Sequence, residues 1–128
     1  MDEEPGAAGS LNYSAPPELH AGAIILRNDP QNAIARYRYG RVLMAQRQNT
    51  EALAQLESAA NSNNPATPPT IIADAALAAG RLREIAQDRT AALAHYRHAA
   101  DLFGASTDTR NAARRAITRL EKLSPADR

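Results

Sequence analysis

The 128 residues contain no cysteine and no tryptophan, and phenylalanine occurs once. Without cysteine there is no disulfide framework, no thiolate nucleophile and no cysteine-based metal site. With four tyrosines as the only other aromatics, large rings cannot fill the interior, and alanine must supply it through close approach of the backbone. No apolar run nears the ~20 residues of a bilayer span, and no charged-then-apolar leader opens the chain. Runs rich in Val, Ile and Thr, which would announce strands, are missing. Neither sign of charge dominates: 15 Lys and Arg face 14 Asp and Glu, so the global basic excess of polyanion binders is absent. No G-x-S-x-G elbow and no glycine-rich phosphate loop occurs. No catalytic constellation remains, and a non-enzyme with no cofactor and no metal is expected.

What the chain does contain is alanine-rich helical periodicity, punctuated by Gly and Pro. Residues 1–15 are small and polar, with acidic Asp2, Glu3 and Glu4, and are expected to form a disordered acidic tail. Pro16-Pro17 opens a short helix over about 18–27, with Leu19, Ala23 and Leu26 on one face and Ile24 and Ile25 widening it. Asp29 and Pro30 read as cap and first turn of the next helix, which reaches about Gln46. Its partner runs from Thr50 to Ala60. After the loop 61–69, Thr67 is expected to cap a helix ending near Ile85. Asp88 caps another that ends at Phe103, where Gly104 suits a left-handed stop. Ser106 or Thr107 caps the last helix, which carries Ala112, Ala113, Ala116, Ile117 and Leu120 on one face and arginines on the other. Pro125 halts it, leaving 125–128 as a tail.

Internal similarity is the strongest signal. Gly40-Arg41 recurs as Gly80-Arg81, Ala52 as Ala92, Leu56 as Tyr96, and Ala59-Ala60 as Ala99-Ala100, every pair offset by the same interval. A glycine on the first helix of a pair, facing a small residue on the second, permits close approach. Leu56 and Tyr96 then reach toward the following pair.

These residues resemble the tetratricopeptide repeat (TPR) family. Its pattern has a bulky residue, a Leu-Gly pair and a Tyr on the first helix, then an Ala, a bulky residue four later and a closing Pro. Tyr39-Gly40, Leu43, Ala52, Leu56 and Pro65 fill it in the first copy, with Arg36 departing from the leading bulky residue. Ala79-Gly80, Ala92 and Tyr96 fill it in the second, where Ala76 and Arg83 depart and no proline closes. The family period is about 34 residues; the interval from Gly40 to Gly80 is longer, and the excess falls in the loop 61–69. The implied fold is all-α: an α-solenoid of antiparallel helix pairs with about five helices, two TPR-like hairpins plus flanking helices. It occupies 16–124, with repeats at about 30–64 and 68–104 and a terminal cap helix at 107–123.

The resemblance implies a noncatalytic scaffold that binds a protein or peptide on its concave face, here Tyr37, Arg41, Met44, Leu77, Arg81 and Glu84. The packing set is Gly40, Ala52, Leu56, Gly80, Ala92 and Tyr96. Arg41 and Arg81, equivalent in the two copies, could present two guanidinium forks to a partner's carboxylates; alternatively they pair with local acids such as Glu84. Arg83, at a core position of the pattern, is expected to lay its stem on the core and its head in water. The alternative role is a structural end segment or self-associating unit of a longer solenoid, through the unpartnered first helix. His95 and His98, three apart, lack a third ligand and read as surface residues. The basic last helix reads as a solvated cap, and nucleic acid is not an expected partner. The Arg-over-Lys bias with high alanine suggests a bacterial source. A soluble protein is expected, with the cytoplasm preferred to the periplasm.

Overall fold

The computed structural model describes residues 17–123, so the expected tails at 1–15 and 125–128 lie outside the described residues. The described residues form six helices and no strand: α1 (Pro17–Asn28), α2 (Ala33–Ala45), α3 (Asn49–Ala60), α4 (Pro69–Ile85), α5 (Arg89–Asp101) and α6 (Thr107–Glu121). The six exceed the expected number of about five by one, and each lies on a segment read as helical in the sequence. Each helix packs on the next, and α2 also meets α4, as α4 meets α6.

The helix ends show why these segments begin and stop where they do. Asn32, not Asp29, caps α2, its Oδ1 accepting the Ala35 N–H at 2.9 Å. Asp29 and Pro30 sit in the preceding turn, where the Pro30 carbonyl accepts from Arg36 Nε at 2.9 Å. Thr67 does not cap α4; Pro68 holds that place, and the Thr67 hydroxyl is buried 2.9 Å from Ser62 Oγ. Asp88 and Ser106 cap α5 and α6 through the Ala91 and Thr109 N–H groups. Helix α5 ends at Asp101, short of Phe103, and Gly104 takes φ +95° in the turn that follows.

The repeat is visible in the turns. Arg47 and Gln87 occupy equivalent places in the two copies, and both hold left-handed φ values, 61° and 64°. Just past each, the Gln48 N–H donates to the Leu43 carbonyl at 3.0 Å and the Asp88 N–H to the Arg83 carbonyl at 2.9 Å. These are matching C-terminal motifs that satisfy carbonyls the helix leaves open.

Helix α4 is the centre of the molecule. It buries Ala73, every residue from Ala75 to Gly80, and Leu82. Near-continuous alanine lets neighbours approach on several sides at once, and two cores form around it. One joins Ala75, Ala76 and Leu77 to Tyr96, Ala113 and Leu120. The other joins Ala78, Ala79 and Leu82 to Leu43, Ala52 and Leu56.

Both repeated glycines are buried and meet side chains of the following helix. A Cβ on Gly40 would lie 2.8 Å from Leu56 Cγ and 3.3 Å from the Ala52 carbonyl oxygen. A Cβ on Gly80 would lie 2.6 Å from Tyr96 Cε1. Ala52, Leu56, Ala92 and Tyr96 are themselves buried.

Candidate functional site

Five of the six residues expected on a concave face divide between two cavities. The first, of about 580 Å³, opens between α1 and α2; Tyr37 and Arg41 line it together with Gly22, Ile25, Tyr39 and Val42. The second, also about 580 Å³, opens between α4 and α6 over the rim of Tyr96; Leu77, Arg81 and Glu84 line it. Met44 lines neither and packs against the core of Leu43, Leu56 and Leu82. Arg41 and Arg81 are thus equivalent in sequence but serve separate cavities.

The two arginines are also engaged differently. Arg41 NH1 donates to the Tyr37 hydroxyl at 2.7 Å, and its guanidinium carbon lies 5.7 Å from the centre of that ring. Residues four apart share a helix face, so this contact is local. Arg81 is exposed and, among the described residues, has no hydrogen-bond or ion-pair partner. Neither arginine pairs with Glu84.

Glu84 is taken by another helix. Arg119 of α6 grips it in bidentate fashion, NH1 to Oε2 at 2.6 Å and NH2 to Oε1 at 2.9 Å. The Tyr96 hydroxyl donates to Oε1 at 2.6 Å. Hydrogen bonding from Arg119 holds the Glu84 carboxyl below the ordinary carboxylate range, against the opposing effect of burial. Burial, reinforced by the bond to Glu84, pushes the Tyr96 phenol well above its usual value. The bond to Glu84 likewise raises Arg119. A fixed anion, a neutral phenol and a fixed cation therefore form one wall of the cavity.

The basic face of α6 is exposed, as expected of a solvated helix, and it also borders this cavity. Ala112, Arg115, Ala116 and Arg119 recur at helical spacing and line the α4–α6 cavity together. Arg114, Thr118 and Lys122 continue the basic surface into an adjoining cavity that shares Arg115 and Arg119. That spacing was visible in the sequence; what could not be seen was which face turns toward α4.

Arg83 and His95 also depart from expectation. The Arg83 head is not simply in water: Nε donates to Glu57 Oε2 at 2.8 Å and NH2 to Oε1 at 3.0 Å. His95 is half-buried rather than a surface residue, and its Nε2 donates to Glu57 Oε2 at 2.7 Å. Burial raises the Glu57 carboxyl, but the bonds from Arg83 and His95 and the charges behind them outweigh it, and it titrates below the ordinary range. Arg83 is raised by the same bond. This triad stitches α3, α4 and α5 together and lies outside both cavities.

Among the described residues, no group of three or more His, Cys, Asp or Glu could hold a metal ion. No helix there is long and apolar enough to cross a membrane. No protein-family model matches the chain, and no curated protein or solved structure matches it.

Proposed function

We propose that the chain is a noncatalytic helical-repeat module of the TPR type, an α-solenoid of helix pairs that binds a peptide segment of a partner protein. The observation that carries this reading is the doubled glycine contact. Gly40 against Leu56 and Gly80 against Tyr96 draw the second helix of each pair close at matching places in the two copies. The first helices, α2, α4 and α6, meet one another in order. In such an array the first helices line one side, each pair covering its neighbour's apolar surface. The α4–α6 cavity lies between two of these first helices, which supports the reading. Concavities of this size are a usual form of recognition site, and this one combines apolar Leu77, Ile85, Ala112 and Ala116 with charged Arg81, Glu84, Arg115 and Arg119.

The test is site-specific photo-crosslinking in the native host. A photo-reactive residue is placed at Tyr37 or Arg81, with exposed Ala94 and Ser58 as outward-facing controls. The reading expects one partner captured from the first two positions and not from the controls. Equal capture at all four, or none at Tyr37 and Arg81, would overturn it.

A second reading, self-association through α1 as an end of a longer array, is favoured by one observation. Ile24 and Ile25 stand side by side on α1, each 45% exposed. Adjacent exposed isoleucines are an apolar surface that a second copy would cover. Light scattering over a concentration series separates the readings: a strict monomer at all concentrations removes this one, and a dimer lost on Ile24→Asp supports it.

A further inference from the structure

We infer that the α4–α6 cavity is a receptor for an acidic peptide bearing an apolar side chain between its carboxylates. The inference rests on the peptide-binding reading above and deepens it by naming the ligand chemistry. Three guanidinium groups, Arg81, Arg115 and Arg119, line this cavity against one carboxylate, Glu84. Arg119 and Glu84 neutralise each other through two hydrogen bonds. Arg81 and Arg115 are left over. Both are exposed, and among the described residues neither has a hydrogen-bond or ion-pair partner.

Other arginines at helix junctions are paired, Arg83 with Glu57, Arg97 with Glu121, and Arg36 with Gln55 and the Pro30 carbonyl, and Arg41 is engaged locally by the Tyr37 hydroxyl. Unpaired guanidinium forks on facing helices match carboxylates, which they bind in bidentate geometry. Arg114 and Lys122 extend the positive surface along α6, so the field at the mouth has one sign and steers an anionic ligand inward.

The floor selects further. Leu77, Ala112 and Ala116 form an apolar base, and Ile85 stands 64% exposed in the wall. An apolar side chain of the ligand would cover Ile85 while flanking acids meet Arg81 and Arg115. A nucleic acid is a poorer match. Its bases need an aromatic face to stack on, and the one aromatic here, Tyr96, is 1% exposed with its hydroxyl bound to Glu84.

The experiment is selection from a displayed library of random octapeptides by the full chain. The best binder is then synthesised with a dye and titrated by fluorescence anisotropy. Selected peptides should be enriched in Asp and Glu around Leu, Ile or Phe. Arg81→Glu with Arg115→Glu should weaken the dye-labelled peptide at least ~10-fold and switch the selection toward Lys and Arg. Both positions are exposed, and circular dichroism shows whether the double variant keeps its helices. If it does not, the milder Arg115→Gln variant, expected to weaken the peptide a few-fold, takes its place. Retained peptides without acidic enrichment, or unchanged affinity in the folded variants, would overturn the inference while leaving the peptide-binding reading standing. No retained peptide at all would overturn both. Equal affinity for a single-stranded RNA oligomer would overturn the choice of ligand.

Discussion

Gly80 lies against the ring of Tyr96 so closely that a methyl group on residue 80 would sit 2.6 Å from Cε1 and 2.8 Å from Cδ1. The ring cannot easily yield, because its hydroxyl is tied to Glu84 at 2.6 Å and the side chain is otherwise buried. The same relation holds one repeat earlier between Gly40 and Leu56. One glycine therefore sets the spacing within each pair, and the resulting depth of approach sets where α4 and α6 enclose their cavity.

The first prediction concerns the sign of a glycine-to-alanine change. In an exposed helix interior, Gly→Ala stabilises by about 1 kcal/mol. At Gly80 the inserted methyl overpacks the core, which costs about 1–3 kcal/mol. Gly80→Ala is expected to destabilise by up to about 2 kcal/mol net, and Gly40→Ala in the same direction. Urea unfolding measures both. A stabilised Gly80→Ala would show that the helix pair has room to give.

The second concerns Glu57. Its carboxylate is bonded by Arg83 and His95 and is held below the ordinary range despite burial. A depressed folded-state value means stability that is present above the unfolded value, about 4.3, and lost as pH falls through the folded one. Glu84 adds a contribution of the same sign. Glu57→Gln is expected to cost about 1–2 kcal/mol at neutral pH and to flatten the fall in stability below about pH 4.5. The equivalent position in the second copy, Arg97, supplies the contrast. It pairs with Glu121, but both side chains are about half exposed, so Arg97→Ala should cost under about 0.5 kcal/mol. Thermal melts across the acid range check both.

The third uses Tyr96 as its own reporter. Burial and the Glu84 carboxylate push its phenol above the usual tyrosine value. A raised value contributes stability below the unfolded pKa, about 10, and that contribution is lost as pH rises toward the folded one. In an alkaline titration followed by phenolate absorbance, one of the four tyrosines should ionise late, together with unfolding. Tyr96→Phe should remove that late component and cost about 1 kcal/mol. If the late component survives the substitution, the assignment fails.

How much of this was legible beforehand follows from the range of each interaction. The close approach at Gly40 and Gly80 could be read because it repeats in register and rests on local helix geometry, but the side chains that meet the glycines are Leu56 and Tyr96 rather than the expected small residues Ala52 and Ala92. The partners of Arg36 and Arg83, which break the repeat pattern, could not be read because they are distant in sequence: Gln55 lies 19 residues away and Glu57 26. Those pairings turn two apparent misfits into ties between helices. The α4–α6 cavity was half legible. Arg81 and Glu84 were singled out from α4, but Arg119 lies 35 residues beyond Glu84, and the rotation of α6 that brings Arg115 and Arg119 to the cavity depends on the packing of Ala113, Ala116 and Leu120 into the core around Tyr96. Cap positions were missed by one to three residues where two candidates stood close together, as with Asp29 and Asn32.

The last prediction exploits the repeated turn. Arg47 and Gln87 both hold left-handed backbone angles, φ 61° and 64°, which cost a non-glycine residue roughly 1–2 kcal/mol. Their side chains are exposed, and neither makes a side-chain hydrogen bond among the described residues. Glycine adopts this conformation without the steric penalty but loses more backbone entropy on folding. The relief should outweigh that loss, so Arg47→Gly and Gln87→Gly are each expected to stabilise by about 0.5–1 kcal/mol. The turns lie in separate helix pairs and share no side-chain partner, so the double variant should show the sum to within about 0.5 kcal/mol. Gly104, at φ +95° with Pro69 Cβ 2.9 Å from a would-be Cβ, is the reciprocal control: Gly104→Ala should destabilise by more than about 1 kcal/mol. Urea midpoints of the four variants decide it, and a destabilised Gln87→Gly would mean that the left-handed turn carries no strain to release.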